Sequence, residues 1–175
     1  MEVSHEQQRS ASSGIGWTIA GFAAVFVIVL AVAAYWDASI RVVHAFEALP
    51  YVAAAILCAR QKKAGYALAV TAGLLWLGLA GRGSTFIESG FHVLAVSWRE
   101  RHLVRPDILI AVPGAIGTAG LVVSSAVGYG RLTNRRWTDV AFFAGAAVFV
   151  TAFFFGIFAA FSPQFLVPLR RLFGV

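Results

Sequence analysis

Charged residues are scarce in this sequence. Asp, Glu, Lys and Arg make up 13% of its 175 residues, whereas hydrophobic residues make up 59%. Soluble domains carry about 25% charged residues, because an exterior in water has to be coated with them. The composition therefore excludes an ordinary soluble domain and predicts a protein whose exterior contacts lipid.

Cysteine is almost absent, and the motifs of common enzyme classes are missing. Cys58 is the single cysteine, which excludes an intrachain disulfide and a metal site built from cysteines. The sequence contains no glycine-rich phosphate loop, no HExxH and no GxSxG. The GRGS sequence at 81–84 lacks the lysine of a nucleotide site and predicts a tight turn. These absences favour a protein that is not an enzyme.

The net charge of +6 is distributed in a way that is typical of membrane loops. The fourteen Lys and Arg residues stand in small clusters between apolar runs, which favours contact with anionic lipid headgroups over contact with nucleic acid. The predicted partner is the lipid bilayer, and a homo-oligomer or a larger membrane complex is expected because one small bundle encloses little space.

The composition also indicates a location. The sequence is rich in Ala, Gly and Val and has no organelle-targeting presequence, which favours a bacterial inner membrane.

Long apolar runs predict an all-α, polytopic transmembrane helical bundle, since each spanning helix needs about 20 residues. The polar residues 1–14 lack the basic start of a signal peptide, so the first helix is expected to remain in the mature protein. Residues 164–175 include Arg170 and Arg171 and predict an interfacial basic tail. Between them, residues 15–163 form one bundle, with five predicted spans at 15–36, 38–59, 64–80, 108–128 and 140–161.

Residues 85–98 predict a sixth helix that is short and polar. Thr85 and Glu88 match a capping box at its start. The helix has three possible placements, which are a short span, a re-entrant helix and a helix lying along the membrane surface. Five spans would put seven basic residues on each side, and six spans would put nine against five. The positive-inside rule therefore favours six spans with both termini in the cytoplasm.

Four ionisable residues within the predicted helices are the candidate site. His44 and Glu47 are three residues apart, and Glu88 and His92 are four apart, so each pair shares one helical face. Both helices are expected to begin on the same side of the membrane, which would allow the two pairs to converge. Ionisable groups inside a membrane are costly and often functional. Arg41 and Arg82 are expected at the mouth of such a pocket.

The four side chains are compatible with more than one role. Two imidazoles and two carboxylates suit zinc, iron or manganese, and His44 and His92 on facing helices suit a haem. Alternating His and Glu can also conduct protons or bind a substrate. A purely structural interpretation is that Glu88 caps its helix and that the histidines bond to neighbouring helices.

The sequence favours a carrier, or an accessory subunit of a membrane complex, with a polar intramembrane His/Glu pocket. The alternative is a metal- or haem-binding component of a membrane redox enzyme that uses His44 and His92. No sequence motif selects a substrate for either function.

Overall fold

The computed structural model describes the backbone of residues 3–174 and the side chains of residues 14–174. The described backbone contains helices and connections and no strand, which confirms the predicted all-α class. The α-helices are α1 Val3–Trp36, α2 Arg41–Ala59, α3 Lys63–Gly78, α4 Phe86–Glu100, α5 Pro106–Leu109, α6 Ala111–Gly130, α7 Val140–Phe161 and α8 Leu166–Phe173.

Five of the described helical segments are long and apolar enough to cross a membrane. Each one matches a predicted span to within a few residues at either end. Helix α4 has 15 residues and a length of about 22 Å, which is short of the roughly 30 Å hydrocarbon core. The five segments are Gly14–Trp36, Ala38–Ala59, Lys63–Gly83, Pro106–Gly130 and Trp137–Phe161.

The direction of α6 decides the path of the chain. Helix α6 runs antiparallel to both α1 and α3, and the contacts that establish this are Gly114 with Val29 and Trp76, and Gly128 with Ile19 and Tyr66. It therefore begins at the end of the bundle where α1 and α3 finish, which we call the upper end. The lower end is where α2 finishes and α3 begins. Helix α4 lies between the end of α3 and the start of α6, and both of these are at the upper end. The chain therefore does not cross the bundle in α4, which agrees with the five-span alternative and not with six spans.

Helix α4 packs against the start of α6. A Cβ atom at Gly90 would lie 2.7 Å from the Cβ of Ala111, so the two helices approach closely. Val93 and Ser97 share this buried side. The predicted capping box does not form, because the side chain of Thr85 makes no capping hydrogen bond.

The connection between α3 and α4 differs from the predicted tight turn. Residues Leu79–Gly83 continue α3 as a π-helical segment, and neither of its glycines has a positive φ angle. A Cβ atom at Gly83 would lie 2.6 Å from the carbonyl oxygen of Pro168. Gly83 is therefore needed because the backbone of α8 approaches it closely, and not because the chain makes a tight turn at this position.

Replacing Gly83 with alanine is expected to push α8 away from the bundle. The contact is with a backbone oxygen, which cannot rotate away, so the cost is about 1–3 kcal/mol by analogy with overpacked cores. The matched control is Gly81→Ala, because a Cβ there would be 3.8 Å from its nearest neighbour, Ile87. Thermal unfolding in detergent measures both variants, and equal midpoints for the two would contradict the expectation.

Candidate functional site

A cavity of about 660 Å³ opens at the upper end of the bundle. Its volume is within the roughly 300–1,000 Å³ that is usual for small-molecule sites. Six parts of the chain contribute to its wall, namely the end of α1, the start of α2, the end of α3, the α4–α6 region, the end of α7 and the residues around the start of α8. The lining residues are Ala33, Trp36, Asp37, Ile40, His44, Glu47, Trp76, Leu79, Ala80, Ser84, Phe86, Asp107, Ile110, Phe158, Phe165 and Pro168.

Glu47 is the deepest acidic residue of this wall. It lies nine residues after Ala38 in a candidate span of 22 residues, and is therefore close to the middle of that span. Its side chain is only 7% exposed. Glu47 lies on the buried side of α2 together with Val43, Pro50 and Tyr51, because the helical repeat puts all four on one face.

His44 is the immediate neighbour of Glu47. Its Nδ1 atom lies 2.6 Å from the Oε2 atom of Glu47, but neither atom has a hydrogen bond of suitable angle with any described residue. The distance establishes contact, and the angle shows that the contact is poorly aligned. The other oxygen of Glu47, Oε1, has no protein partner among the described residues and is not fully buried. The pair therefore retains capacity to bind a further group.

Aromatic rings form the inner part of the cavity. The ring of Trp76 lines it and packs edge-on against Phe26, with ring centroids 4.9 Å apart. Phe26 in turn lies 4.3 Å from the ring of Tyr51. The Tyr51 hydroxyl donates a 3.1 Å hydrogen bond to the carbonyl of Ala72. This layer fixes the tryptophan in place and separates the cavity from the lower half of the bundle.

Two further acidic residues lie at the mouth. Asp37 caps the turn before α2 and accepts hydrogen bonds from the Ser39 hydroxyl at 2.7 Å and the Ser39 N–H at 2.9 Å. These bonds, with the nearby His44, hold the pKa of Asp37 below its ordinary value, so the mouth keeps a negative charge at neutral pH. Asp107 is paired with the Arg105 guanidinium at 2.8 and 3.0 Å.

The structure separates the four residues of the predicted site. His44 and Glu47 contact each other and line the cavity, whereas Glu88 and His92 are exposed on α4 and contribute nothing to its wall. The predicted convergence fails because α4 packs its Gly90 side against α6, which leaves its polar side outside the bundle.

The predicted mouth residues, Arg41 and Arg82, are also exposed and do not line the cavity. The guanidinium of Arg41 donates instead to the carbonyl of Ala34 at 2.8 Å. No Lys or Arg is among the residues that line the cavity. The mouth is therefore acidic where the sequence predicts it to be basic.

The metal and haem hypotheses do not fit these positions. Among the described side chains there is no group of three or more His, Cys, Asp or Glu residues placed to hold a metal ion. His44 and Glu47 therefore have no third potential ligand of these types beside them among the described side chains. His92, the second ligand in the haem hypothesis, is on the outer side of α4 and away from the cavity wall.

A polar cluster at the lower end was not predicted as a unit. The buried carboxylate of Asp139 accepts from Lys63 Nζ, from the Tyr129 hydroxyl at 3.0 Å and from the Arg136 N–H at 3.0 Å. Lys63 Nζ also donates to the carbonyl of Asn134. Nothing in the sequence around Asp139 signals a partner lysine 76 residues away.

The cavity thus combines a buried carboxylate–imidazole pair, an aromatic wall and an acidic mouth. It offers hydrogen-bond acceptors and negative charge, and its lining contains no lysine or arginine that would hold an anion. The chain has no match among protein-family models, curated proteins or solved structures.

Proposed function

We propose that this chain is a small multi-pass membrane protein that binds a small ligand at Glu47, as a carrier or as an accessory subunit of a membrane complex. The observation that carries the proposal is a nearly buried carboxylate near the middle of a candidate span, on a residue that lines a cavity, with one oxygen that has no protein partner among the described residues. We also propose a bacterial inner membrane as its location, in agreement with its composition.

The cost of burying Glu47 supports a functional role. An acidic side chain at the centre of a spanning helix costs about 2.5–3.5 kcal/mol on insertion scales, and its alignment with His44 is too poor to offset that fully. A glutamate kept only for packing would be replaced by leucine or methionine at lower cost. The buried carboxylate is better explained as a group that pairs with a bound ligand.

The one-sided opening supports a carrier in a single access state. All the lining residues belong to the upper half of the bundle, and the buried side chains Ala54, Cys58 and Tyr66 fill the lower half. In alternating access, the binding site of a carrier is open to one face of the membrane at a time, and a cavity that is open at one end fits this pattern.

Oligomeric state in mild detergent tests the proposal that the chain is an accessory subunit, because a stable monomer would argue against it.

Cysteine accessibility tests both the cavity and the spans. In membrane vesicles, Ser84→Cys is expected to react with a membrane-impermeant thiol reagent applied to one face, because Ser84 lines the cavity. The matched control, Ile28→Cys, is 62% exposed on the outer side of α1 and is expected to be unreactive because lipid covers it. The unmodified chain serves as a blank, since Cys58 is 1% exposed.

The outcome of this experiment decides the proposal. Reaction of the Ser84→Cys variant from one face only, with Ile28→Cys protected, supports a water-accessible cavity in a membrane bundle. Reaction of Ile28→Cys at a similar rate would contradict the membrane placement. A Ser84→Cys variant that is inert from both faces would contradict the open cavity and with it the proposed function.

A further inference from the structure

We infer that the ligand of the cavity is a monovalent organic cation with an apolar body, such as a hydrophobic amine or a quaternary onium ion. The inference rests on the proposed function, because it assigns a ligand class to the same cavity. It depends on three features of the wall, which are its charge, its aromatic rings and the unused oxygen of Glu47.

The charge of the wall selects for a cation. Three acidic residues, Asp37, Glu47 and Asp107, line the cavity, and no lysine or arginine does. Arg105 neutralises Asp107 from outside the wall, which leaves Asp37 at the mouth and Glu47, beside the His44 imidazole, deeper in the cavity. A cation would meet Asp37 at the mouth and Glu47 inside, whereas an anion would meet like charge at both positions and lose its hydration as it entered.

The aromatic residues favour an organic cation over a hydrated inorganic one. Ring faces attract cations, and the attraction increases when water is excluded. Six of the other lining residues are aliphatic, so the wall can bury an apolar body. The acidic residues are not grouped as the several oxygen ligands that a bare metal ion needs, since the described side chains contain no cluster of three such groups. Five of the lining residues are aromatic, namely Trp36, Trp76, Phe86, Phe158 and Phe165.

Glu47 supplies the specific anchor. Glu47 lines the cavity, and its Oε1 atom has no partner among the described residues, while Oε2 lies 2.6 Å from His44 in poor alignment. A ligand ammonium can pair with Oε1 without displacing the imidazole. The carboxylate would then have a charged partner in a site of low polarity, where charge-assisted interactions are strongest.

A pair of probes of nearly equal size and opposite charge tests the ligand class. Tetraphenylphosphonium is a lipophilic cation, and tetraphenylborate is the corresponding anion. Binding of each to the full chain in nanodiscs of neutral lipid is measured by equilibrium dialysis against empty nanodiscs. The same probes are tested for protection of Ser84→Cys from a neutral thiol reagent, which reports on the cavity itself.

The cation is expected to bind saturably and to protect Ser84→Cys, with at least tenfold preference over the anion. Glu47→Gln is expected to weaken binding of the cation at least tenfold. The matched control is Glu88→Gln, which removes the same charge from an exposed position outside the cavity and should change binding less than twofold. The preference of the unmodified chain for the cation does not depend on whether Glu47→Gln folds.

The failures of the two proposals are distinguishable. Equal protection by both probes, or protection by the anion alone, would overturn the cation inference and leave a ligand-binding cavity in place. Equal loss of cation binding in Glu47→Gln and Glu88→Gln would also overturn it. Absence of protection by either probe overturns the inference, and if Ser84→Cys is in addition inert to the reagent, the proposed function fails with it.

Discussion

Gly65→Ala is expected to be one of the most destabilising single substitutions in this bundle. A Cβ atom at Gly65 would lie 2.6 Å from the backbone nitrogen of Cys58 and 2.6 Å from the Cβ of Leu57. Neither atom can rotate away, so α2 and α3 would have to separate at the lower end. Overpacking of this kind costs about 1–3 kcal/mol in soluble proteins, and helices in lipid depend heavily on such close approach.

The matched control for this prediction is Gly145→Ala. Gly145 is an exposed residue within α7 with no atom within 4 Å of a Cβ built there. The same substitution is expected to be neutral, or to stabilise by up to about 1 kcal/mol, because alanine is the better helix former. Thermal midpoints in one detergent separate the two variants. The close-packing argument would be wrong if Gly145→Ala were the less stable of the two.

Lys63→Met is expected to destabilise the bundle much more than the same substitution at Lys62, the other lysine of the chain. Lys63 Nζ lies 2.8 Å from Oδ2 of Asp139, and this contact ties α3 to the start of α7. Removing the lysine leaves a buried carboxylate with two neutral donors and no cation, and breaking one side of a buried pair is strongly destabilising. The thermal midpoint is expected to fall by several degrees.

Two further variants isolate the ion pair. Lys62→Met removes the same charge from the adjacent, exposed position and is expected to leave the midpoint nearly unchanged. The double variant Lys63→Met with Asp139→Leu removes both charges and should recover much of the lost stability, because no unpaired carboxylate remains. A double variant as unstable as Lys63→Met would indicate that lost packing, and not the unpaired charge, causes the effect.

The structure brings together one of the two residue pairs of the predicted site. The spacing of His44 and Glu47 correctly placed them in contact, because residues three apart on a helix are neighbours whatever surrounds that helix. The same rule gave Glu88 and His92 a shared face, but it could not say where that face points. A helix with a polar side and a small-residue side can present either side to a cavity. In this bundle, the packing of Gly90 against Ala111 decides that the polar side of α4 points away from the cavity.

Other residues of the cavity carry no local signal at all. Trp76 is one apolar residue within an apolar helix, and nothing near it in sequence distinguishes a cavity wall from a lipid contact. Nothing near Asp107 in sequence marks it as part of a cavity wall either. Both line the cavity because α6 begins where α3 ends, which is a property of the chain path and is not encoded in any short segment.

The amino-acid sequence by itself determined that the chain is helical, that five segments can cross a membrane and where most of those segments begin and end. These properties follow from local composition, since lipid requires about 20 apolar residues per span and satisfied backbone hydrogen bonds. The tertiary structure alone decided that α4 returns to its own side, that the cavity mouth is acidic and that Lys63 meets Asp139. Each of these depends on contacts between distant segments, whose free energies come from packing and charge pairing that no single helix contains.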